Sequence, residues 1–308
     1  MRVAIVVVNF GSHELIDANM GSLPDASVVL VDNLKSAPDR EAARALAARR
    51  GWHLVEATGN LGFGGGVNAG VRAAAETGHD AVILLNPDAR LDAASVEALT
   101  AALRADPMAL ISPTILDSDG QPYYRGYAVR LRSGRMTKVE DVQSPPAGTK
   151  AWISGACMAF TIALHEQVGG YDESYFLYWE DVDFSVRASN AGAHLRVLPD
   201  VTAIHDESGT QETRKGRAKS LLYYRYNTRN RLLFAVRQLP TIALLGWMVR
   251  TPRVSYLILL QGGRRQLLHS RKPLWAVTRG SLEGLALAFA ELTRRCLRRQ
   301  PVSQRRSV

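Results

Sequence analysis

The stretch Phe176-Leu-Tyr-Trp-Glu-Asp-Val-Asp-Phe-Ser-Val-Arg187 collects Glu180, Asp181 and Asp183 within four positions, directly after an aromatic run. Negative charge beside apolar side chains costs free energy unless something uses it, which makes the stretch a candidate site. A helix over 180–191 puts Val182, Val186 and Ser189 on one face and Asp181 with Ser185 on another. Glu180 and Asp181 then lie at the helix N-terminus, where backbone amides favour the charged form of a carboxylate. Such a carboxylate at a cleft can act as a general base. The structural alternative is that these are ordinary first-turn acids, with Asp183 and Arg187 spaced for an i,i+4 ion pair.

Three further places could do chemistry. An apolar run over 81–85 leads into Asn86-Pro-Asp88. An acid at a strand end, fixed by a preceding proline, can hold a divalent cation that bridges phosphate oxygens; otherwise the tripeptide only opens the helix expected over 92–105. Asn60-Leu-Gly-Phe-Gly-Gly-Gly-Val-Asn68 has glycines that let backbone amides approach a ligand, or that make a structural turn. His205 ends Leu198-Pro-Asp-Val-Thr-Ala-Ile-His205, and taken alone it reads as a core histidine.

The elements that must position these residues follow from the hydrophobic pattern. Apolar strands are expected over 3–8, 28–31, 52–56, 81–85, 111–116 and 152–160. Helices are expected over 13–23 (capped by Ser12), 39–50, from Asn60 onward, 92–105, 163–168 and 180–191. Continuous apolar strands alternating with helices imply an α/β protein whose sheet is mostly parallel and covered on both faces. Ligands in such sheets bind at the carboxyl ends of the strands, where Asn9, Asp32 and the Thr58-Gly-Asn60 loop fall. Gly155 interrupts the strand 152–160, a sign of close approach. Residues 125–144 look irregular and polar, a candidate mobile loop.

A chain of 308 residues with 46% hydrophobic content suits one large domain with an appendage. Two cysteines, Cys157 and Cys296, have no paired spacing; this excludes a cysteine zinc site and suits a reducing compartment. The apolar start is short and β-branched, a buried strand instead of a signal peptide.

Charge divides the chain. Residues 1–210 hold 17 Lys and Arg against 26 Asp and Glu, whereas residues 211–308 hold 21 against 3 Glu. The expected domains are therefore an acidic globular unit over 1–210 and a basic amphipathic helical appendage over 211–308. Within the appendage Pro240 ends a basic helix, and Arg250-Thr-Pro-Arg253 divides two apolar pieces, each too short to cross a bilayer. The apolar pieces suit an anionic membrane surface better than nucleic acid. The expectation is a peripheral protein on the cytoplasmic face of the cell membrane, with no nucleic-acid partner.

Taken in order, Val6-Val-Val-Asn-Phe10, Val31-Asp-Asn33, Asn60-Leu-Gly-Phe63 with Asn68, Leu85-Asn-Pro-Asp88, Gly155, Trp179-Glu-Asp-Val-Asp183 with Arg187, and His205 resemble the family 2 inverting glycosyltransferases of A-type fold, in particular their rhamnosyltransferase-like branch. The resemblance covers residues 1 to about 210. It implies inverting transfer of rhamnose or a similar hexose from a nucleotide-diphosphate sugar donor to a hydroxyl of a glycan or lipid-linked acceptor. By the same resemblance Asp32 contacts the base, Asn9 walls its pocket, and Asn60, Gly62, Asn68 and Asn86 belong to the nucleotide-sugar site. Asp88 and His205 become ligands of a divalent cation, Mg or Mn. Asp181 becomes the catalytic base, with Glu180, Trp179 and Trp152 on the acceptor side. Asn86 stands where the family's Asp-x-Asp motif has its first Asp, so the protein supplies one carboxylate there.

Two rival functions use other features. A nicotinamide-dependent oxidoreductase would use the glycine loop, but the first strand ends in Asn9-Phe-Gly-Ser12 instead of a three-glycine turn. A basic nucleic-acid-binding adaptor would use the tail, but leaves the Glu180-Asp181 and Asn86–Asp88 sites without a role.

Overall fold

The computed structural model describes residues 1–21, 23, 26–206 and 219–299. The chain forms two compact units, Met1–Arg130 with Arg135–Lys215, and Leu131–Gly134 with Gly216–Val308. The boundary expected at 210/211 lies outside the described residues.

The first unit begins β1 (Val3–Asn9), α1 (His13–Asn19), β2 (Val28–Asp32), α2 (Ala37–Arg50), β3 (His53–Glu56), α3 (Gly62–Glu76), β4 (Ala81–Leu85), β5 (Ala89–Arg90), α4 (Ala93–Ala105) and β6 (Ala109–Leu116). It continues β7 (Pro122–Tyr124), β8 (Tyr127–Arg130), β9 (Met136–Lys138), β10 (Thr149–Trp152), β11 (Cys157–Thr161), α5 (Ile162–Val168), α6 (Glu180–Asn190) and β12 (His194–His205). The main sheet has the order β3-β2-β1-β4-β11-β6-β12-β5, with β7 beside β6. β3, β2, β1 and β4 run parallel, as do β6 and β12; β11 is antiparallel to both of its neighbours.

Both faces of this sheet are buried, which is why its strands read as unbroken apolar runs. Ala4, Val6 and Val8 of β1 pack with α3, α5 and α6, while Ile5 and Val7 face the core under α1, α2 and α4. The glycines of α3 serve this packing: a Cβ on Gly66 would lie 2.6 Å from Val8, and one on Gly70 would collide with Val6. Close helix-to-strand approach accounts for this part of the glycine run, and phosphate cradling does not.

Four expectations need correction. α1 ends at Asn19, because Met20 and Gly21 turn the chain before Leu23. Residues 125–144 are not an irregular loop: β8 and β9 pair antiparallel, and β10 completes a separate three-stranded sheet. The strand expected over 152–160 is two strands, β10 and β11, in different sheets. Between them Ile153 N bonds Ser185 Oγ and Gly155 N bonds Asp181, so these amides join α6 instead of a strand.

The fourth correction lies in the second unit, which contains α7 (Leu221–Gln238), α8 (Thr241–Leu260), α9 (Gln266–His269) and α10 (Lys272–Arg299). The two apolar pieces are one 20-residue helix, α8, running through Pro252. Side chains tie the turn before Pro252: Thr251 Oγ1 and Arg231 donate to Trp247 O, and Arg250 donates to Gly246 O. α8 is thus long and apolar enough, by length and composition, to cross a membrane. Its inner side packs Leu244, Trp247 and Leu259 into this unit, and Trp247 Nε1 also holds Leu131 O at 2.6 Å.

Candidate active site

One polar cluster forms where β1 and β2 finish side by side, with Asn9 opposite Asp32 in the register. Both side chains are fully buried, yet each keeps one atom without a partner, Asn9 Nδ2 and Asp32 Oδ1. The other Asp32 oxygen takes Arg40 Nε at 2.6 Å, and Asn9 Oδ1 accepts Ser12 N at 2.8 Å. A donor and an acceptor left open in a buried strand-end site are what a polar ligand edge requires.

Asn33 fastens this end to α3: its Nδ2 donates to Gly62 O and Asn60 Oδ1, and its Oδ1 accepts Leu61 N. Gly62 has φ +75°, and a Cβ there would collide with Phe176 O, which accepts Phe63 N at 3.0 Å. This glycine lets the segment before the acidic cluster lie against the start of α3.

Asn68 is a correction to the site. Its Nδ2 donates to Tyr171 O and Glu173 Oε1, and its Oδ1 accepts Tyr171 N and faces His165 Nε2 at 3.0 Å. All four of its hydrogen-bonding positions are used within the protein, so it anchors the 169–173 turn and has nothing left for a nucleotide.

At the end of β4, Asn86 N bonds Ala156 O at 3.0 Å, and the Asn86 Oδ1 atom is buried without a partner. Asp88 Oδ1 lies 3.1 Å from His205 Nε2, brought there by the antiparallel pairing of β12 with β5. Both side chains are buried, and His205 Nδ1 has no partner. One carboxylate oxygen and one imidazole nitrogen at this separation suit adjacent ligands of a cation with bonds of about 2.1 Å. Among the described residues no group of three or more His, Cys, Asp and Glu is gathered around this pair.

The acidic cluster is built on backbone strain. Tyr178 and Trp179 have φ +67° and +76°, the left-handed region that bulky residues avoid, and α6 starts directly after them. Asp181 Oδ2 accepts Gly155 N at 3.2 Å and its Oδ1 accepts Val182 N at 2.8 Å. Because Gly155 adjoins Ala156, which holds Asn86, the carboxylate of Asp181 and the Asn86–Asp88 strand end are tied to the same link between β10 and β11.

Burial raises the proton affinity of Asp181 from the ordinary 3.8 to about 6, although the Gly155 and Val182 amides pull it down. Burial, then the neighbouring Asp181, raises Glu180 well above the usual carboxylate range, and Glu180 Oε2 is buried without a partner. Desolvation therefore outweighs the helix N-terminus, contrary to the expectation that the amides would favour the charged form. Asp183 forms the i,i+4 pair, 2.7 Å from Arg187 Nε, and is structural.

Around Trp152, expected on the acceptor side, lie residues that sequence reasoning missed. Trp152, whose Nε1 is buried without a partner, lies 5.8 Å from the rings of both Tyr124 and Tyr127, and Tyr124 OH donates to Trp152 O. Burial, then the neighbouring Asp181 carboxylate, raises the Tyr124 phenol. Tyr123 packs 5.2 Å from the His205 ring. Arg40 was also missed, and Asn33, noted only as part of the Val31-Asp-Asn33 motif, was given no role.

Polar clusters gathered at the strand ends of this mixed, mostly parallel sheet have the architecture of an A-type glycosyltransferase. The chain belongs to glycosyl transferase family group 2, whose family model matches residues 81–289. It is 27% identical over 263 residues to the low-salt glycan biosynthesis hexosyltransferase Agl10 of Haloferax volcanii, covering 80% of this chain and 83% of that one. It is 29% identical over 211 residues to the N-acetylglucosaminyl-diphospho-decaprenol L-rhamnosyltransferase of Mycobacterium tuberculosis, covering 59% and 67%.

Among solved structures, the fold matches mannosyltransferase PcManGT from Pyrobaculum calidifontis in complex with GDP-Man and Mn2+ (17% identity, TM-score 0.54, 97% of this chain and 88% of that one). It also matches S. aureus TarS 1-349 in complex with UDP (14% identity, TM-score 0.56, 96% and 82%). The protein is a rhamnosyltransferase-like family 2 glycosyltransferase, and its chemistry is glycosyl transfer from a nucleotide sugar.

Proposed function

We propose that the enzyme transfers rhamnose or a similar hexose, with inversion, from a nucleoside-diphosphate sugar to a hydroxyl of a glycan or lipid-linked saccharide. The carrying observation is Asp181, a carboxylate fixed by two backbone amides with its proton affinity raised to about 6, on the link that also holds Asn86. An acceptor hydroxyl is a poor nucleophile. As its oxygen attacks the anomeric carbon its proton passes to Asp181, the bond from that carbon to the diphosphate oxygen breaks on the opposite face, and the configuration inverts. The raised proton affinity makes Asp181 a stronger base than an ordinary Asp while leaving it ionised at neutral pH.

Asp88 and His205 would hold a divalent cation, Mg2+ or Mn2+, which when bound offsets the charge that gathers on the leaving diphosphate. Asn9, Asp32, Asn60, Gly62 and Asn86 line the donor side; Glu180, Trp179 and Trp152 line the acceptor side. The names of the relatives support a hexose donor and a lipid-diphosphate acceptor, and the mannosyltransferase structure supports the cation. The basic region 211–308 brings the enzyme to the anionic cytoplasmic face of a membrane, without a nucleic-acid partner. Because α3's glycines pack against β1, the feature that favoured a nicotinamide cofactor has another use.

The test is Asp181→Asn, assayed for transfer and for thermal stabilisation across a panel of nucleotide sugars with and without Mn2+. Transfer should fall about 10²–10⁴-fold, while stabilisation by the preferred donor survives. Transfer at near wild-type rate would remove Asp181 from the base role.

A further inference from the structure

The second unit has a surface that neither its own core nor glycosyl transfer uses. Residues 219–299 hold 16 Lys and Arg against two acids. Both acids are already paired, Glu283 with Arg225 and Arg279, and Glu291 with Arg294 and Arg295. The inner faces of α8 and α10 are closed by Leu244, Trp247 and Leu259, and by Ala276, Val277 and Ala288.

The outer faces are apolar as well. On α8, Ile242, Val249 and Tyr256 recur every seven residues and are 83%, 81% and 53% exposed; on α10, Trp275, Leu282 and Phe289 recur at the same interval and are 63%, 62% and 60% exposed. Seven residues are close to two helical turns, so each triplet forms one line along its helix. A groove of about 270 Å³ between the helices is lined by Pro252 and Tyr256 from α8 and by Leu274, Thr278 and Leu282 from α10, so each line contributes one member to it, Tyr256 and Leu282. Ser255 Oγ and Ser281 Oγ, also in its lining, meet at 2.8 Å and join the helices there. Tyr256 and Leu282 bring the two lines together at this groove, and exposed Arg253 and Arg279 lie one helical turn from them.

Apolar surface of this extent needs a cover. A second copy would set arginine against arginine, a like-charge contact that disfavours association. An anionic bilayer matches both features: apolar side chains enter the acyl boundary while the guanidinium groups stay with the phosphates. Although α8 is long and apolar enough to cross a bilayer, its inner side is packed on its own unit and Arg250 and Arg253 lie in mid-helix. These features place it in the membrane plane.

We propose that the paired outer faces of α8 and α10 are an in-plane docking surface for an anionic bilayer, with the two apolar lines inserted beneath the headgroups. This deepens the membrane reading above and rests on it. The full-length protein and two variants, Ile242→Ser/Val249→Ser/Tyr256→Ser and Trp275→Ser/Leu282→Ser/Phe289→Ser, are titrated with phosphatidylcholine vesicles with and without phosphatidylglycerol.

Each variant should bind anionic vesicles at least about tenfold more weakly, while transfer to a water-soluble acceptor is unchanged. Wild-type tryptophan fluorescence should be quenched by brominated acyl chains, and that quenching should be lost in the Trp275 variant; the wild-type measurement stands even if a variant misfolds. Unchanged vesicle affinity in the variants together with no quenching in the wild type overturns insertion but leaves a charge-only membrane contact. Wild type that ignores anionic vesicles overturns both readings, and a dimer that the substitutions dissociate, without vesicle binding, assigns the surface to a second copy.

Discussion

Asp181 is held between opposing effects, and their balance sets measurable behaviour. Burial raises its proton affinity to about 6 while two amide bonds lower it, so the base should lose activity in mild acid. Plotted against pH, kcat/KM should fall about tenfold per unit below about 6 and level off above it; a limb near 4 would contradict the assignment. Stability follows with the opposite sense. The unfolded carboxyl releases its proton near 3.8, whereas the folded one retains it to about 6, so the folded state is favoured below 3.8 and that advantage is lost as pH rises through about 6. The melting temperature of wild type relative to Asp181→Asn should therefore decline between pH 4 and 7, and a flat difference would refute the shift. Asp88 and His205 give a second residue-scale prediction. Two protein ligands make a weak site, so Mn2+ followed by calorimetry should bind at least about tenfold more tightly in the presence of the nucleoside diphosphate, and His205→Ala should remove that gain. Equal affinity with and without the diphosphate would count against a shared cation.

At the scale of elements, Asn68 separates a structural role from a ligand-binding one. It joins α3 to the turn before the acidic cluster through three contacts and to His165 of α5 through a fourth, so Asn68→Ala should destabilise the fold by about 2–4 kcal/mol. Donor affinity of the folded fraction should stay unchanged; a selective loss of donor binding at normal stability would restore the nucleotide role. The same region shows what a sequence reader can and cannot see. β1, β2 and β4 were legible because both of their faces are buried, leaving uninterrupted Val, Ile and Leu runs, and the acids of α6 stood out against aromatic neighbours. β8 and β9 were not, since four and three residues are too few to show alternation. The continuity of α8 was hidden for a different reason: Pro252 is a breaker locally, and the turn before it is held by Arg231, some 20 residues earlier. Tyr124 and Tyr127 joined the site only through contact with Trp152, which spacing does not reveal.

For the whole molecule the governing quantity is the division of charge, −9 over residues 1–210 and +18 over 211–308. An anionic surface attracts the second stretch and repels the first. Each basic residue near such a surface contributes about 1 kcal/mol, and the attraction weakens as the screening length falls from about 10 Å at 0.1 M salt to about 3 Å at 1 M. Full-length protein should sediment with anionic vesicles at low salt and be largely released at high salt. A chain ending at residue 210 should stay in solution. It should also stay folded, because the two hydrophobic cores that enclose the main sheet draw only on residues up to Ala203. The pair of measurements separates charge from fold: a truncated chain that still sediments would move the membrane contact into the catalytic unit. Tight, salt-sensitive binding of the full-length chain to duplex or single-stranded nucleic acid, with no vesicle binding, would instead give the basic region a different partner and remove the reason for placing a lipid-linked acceptor beside Asp181.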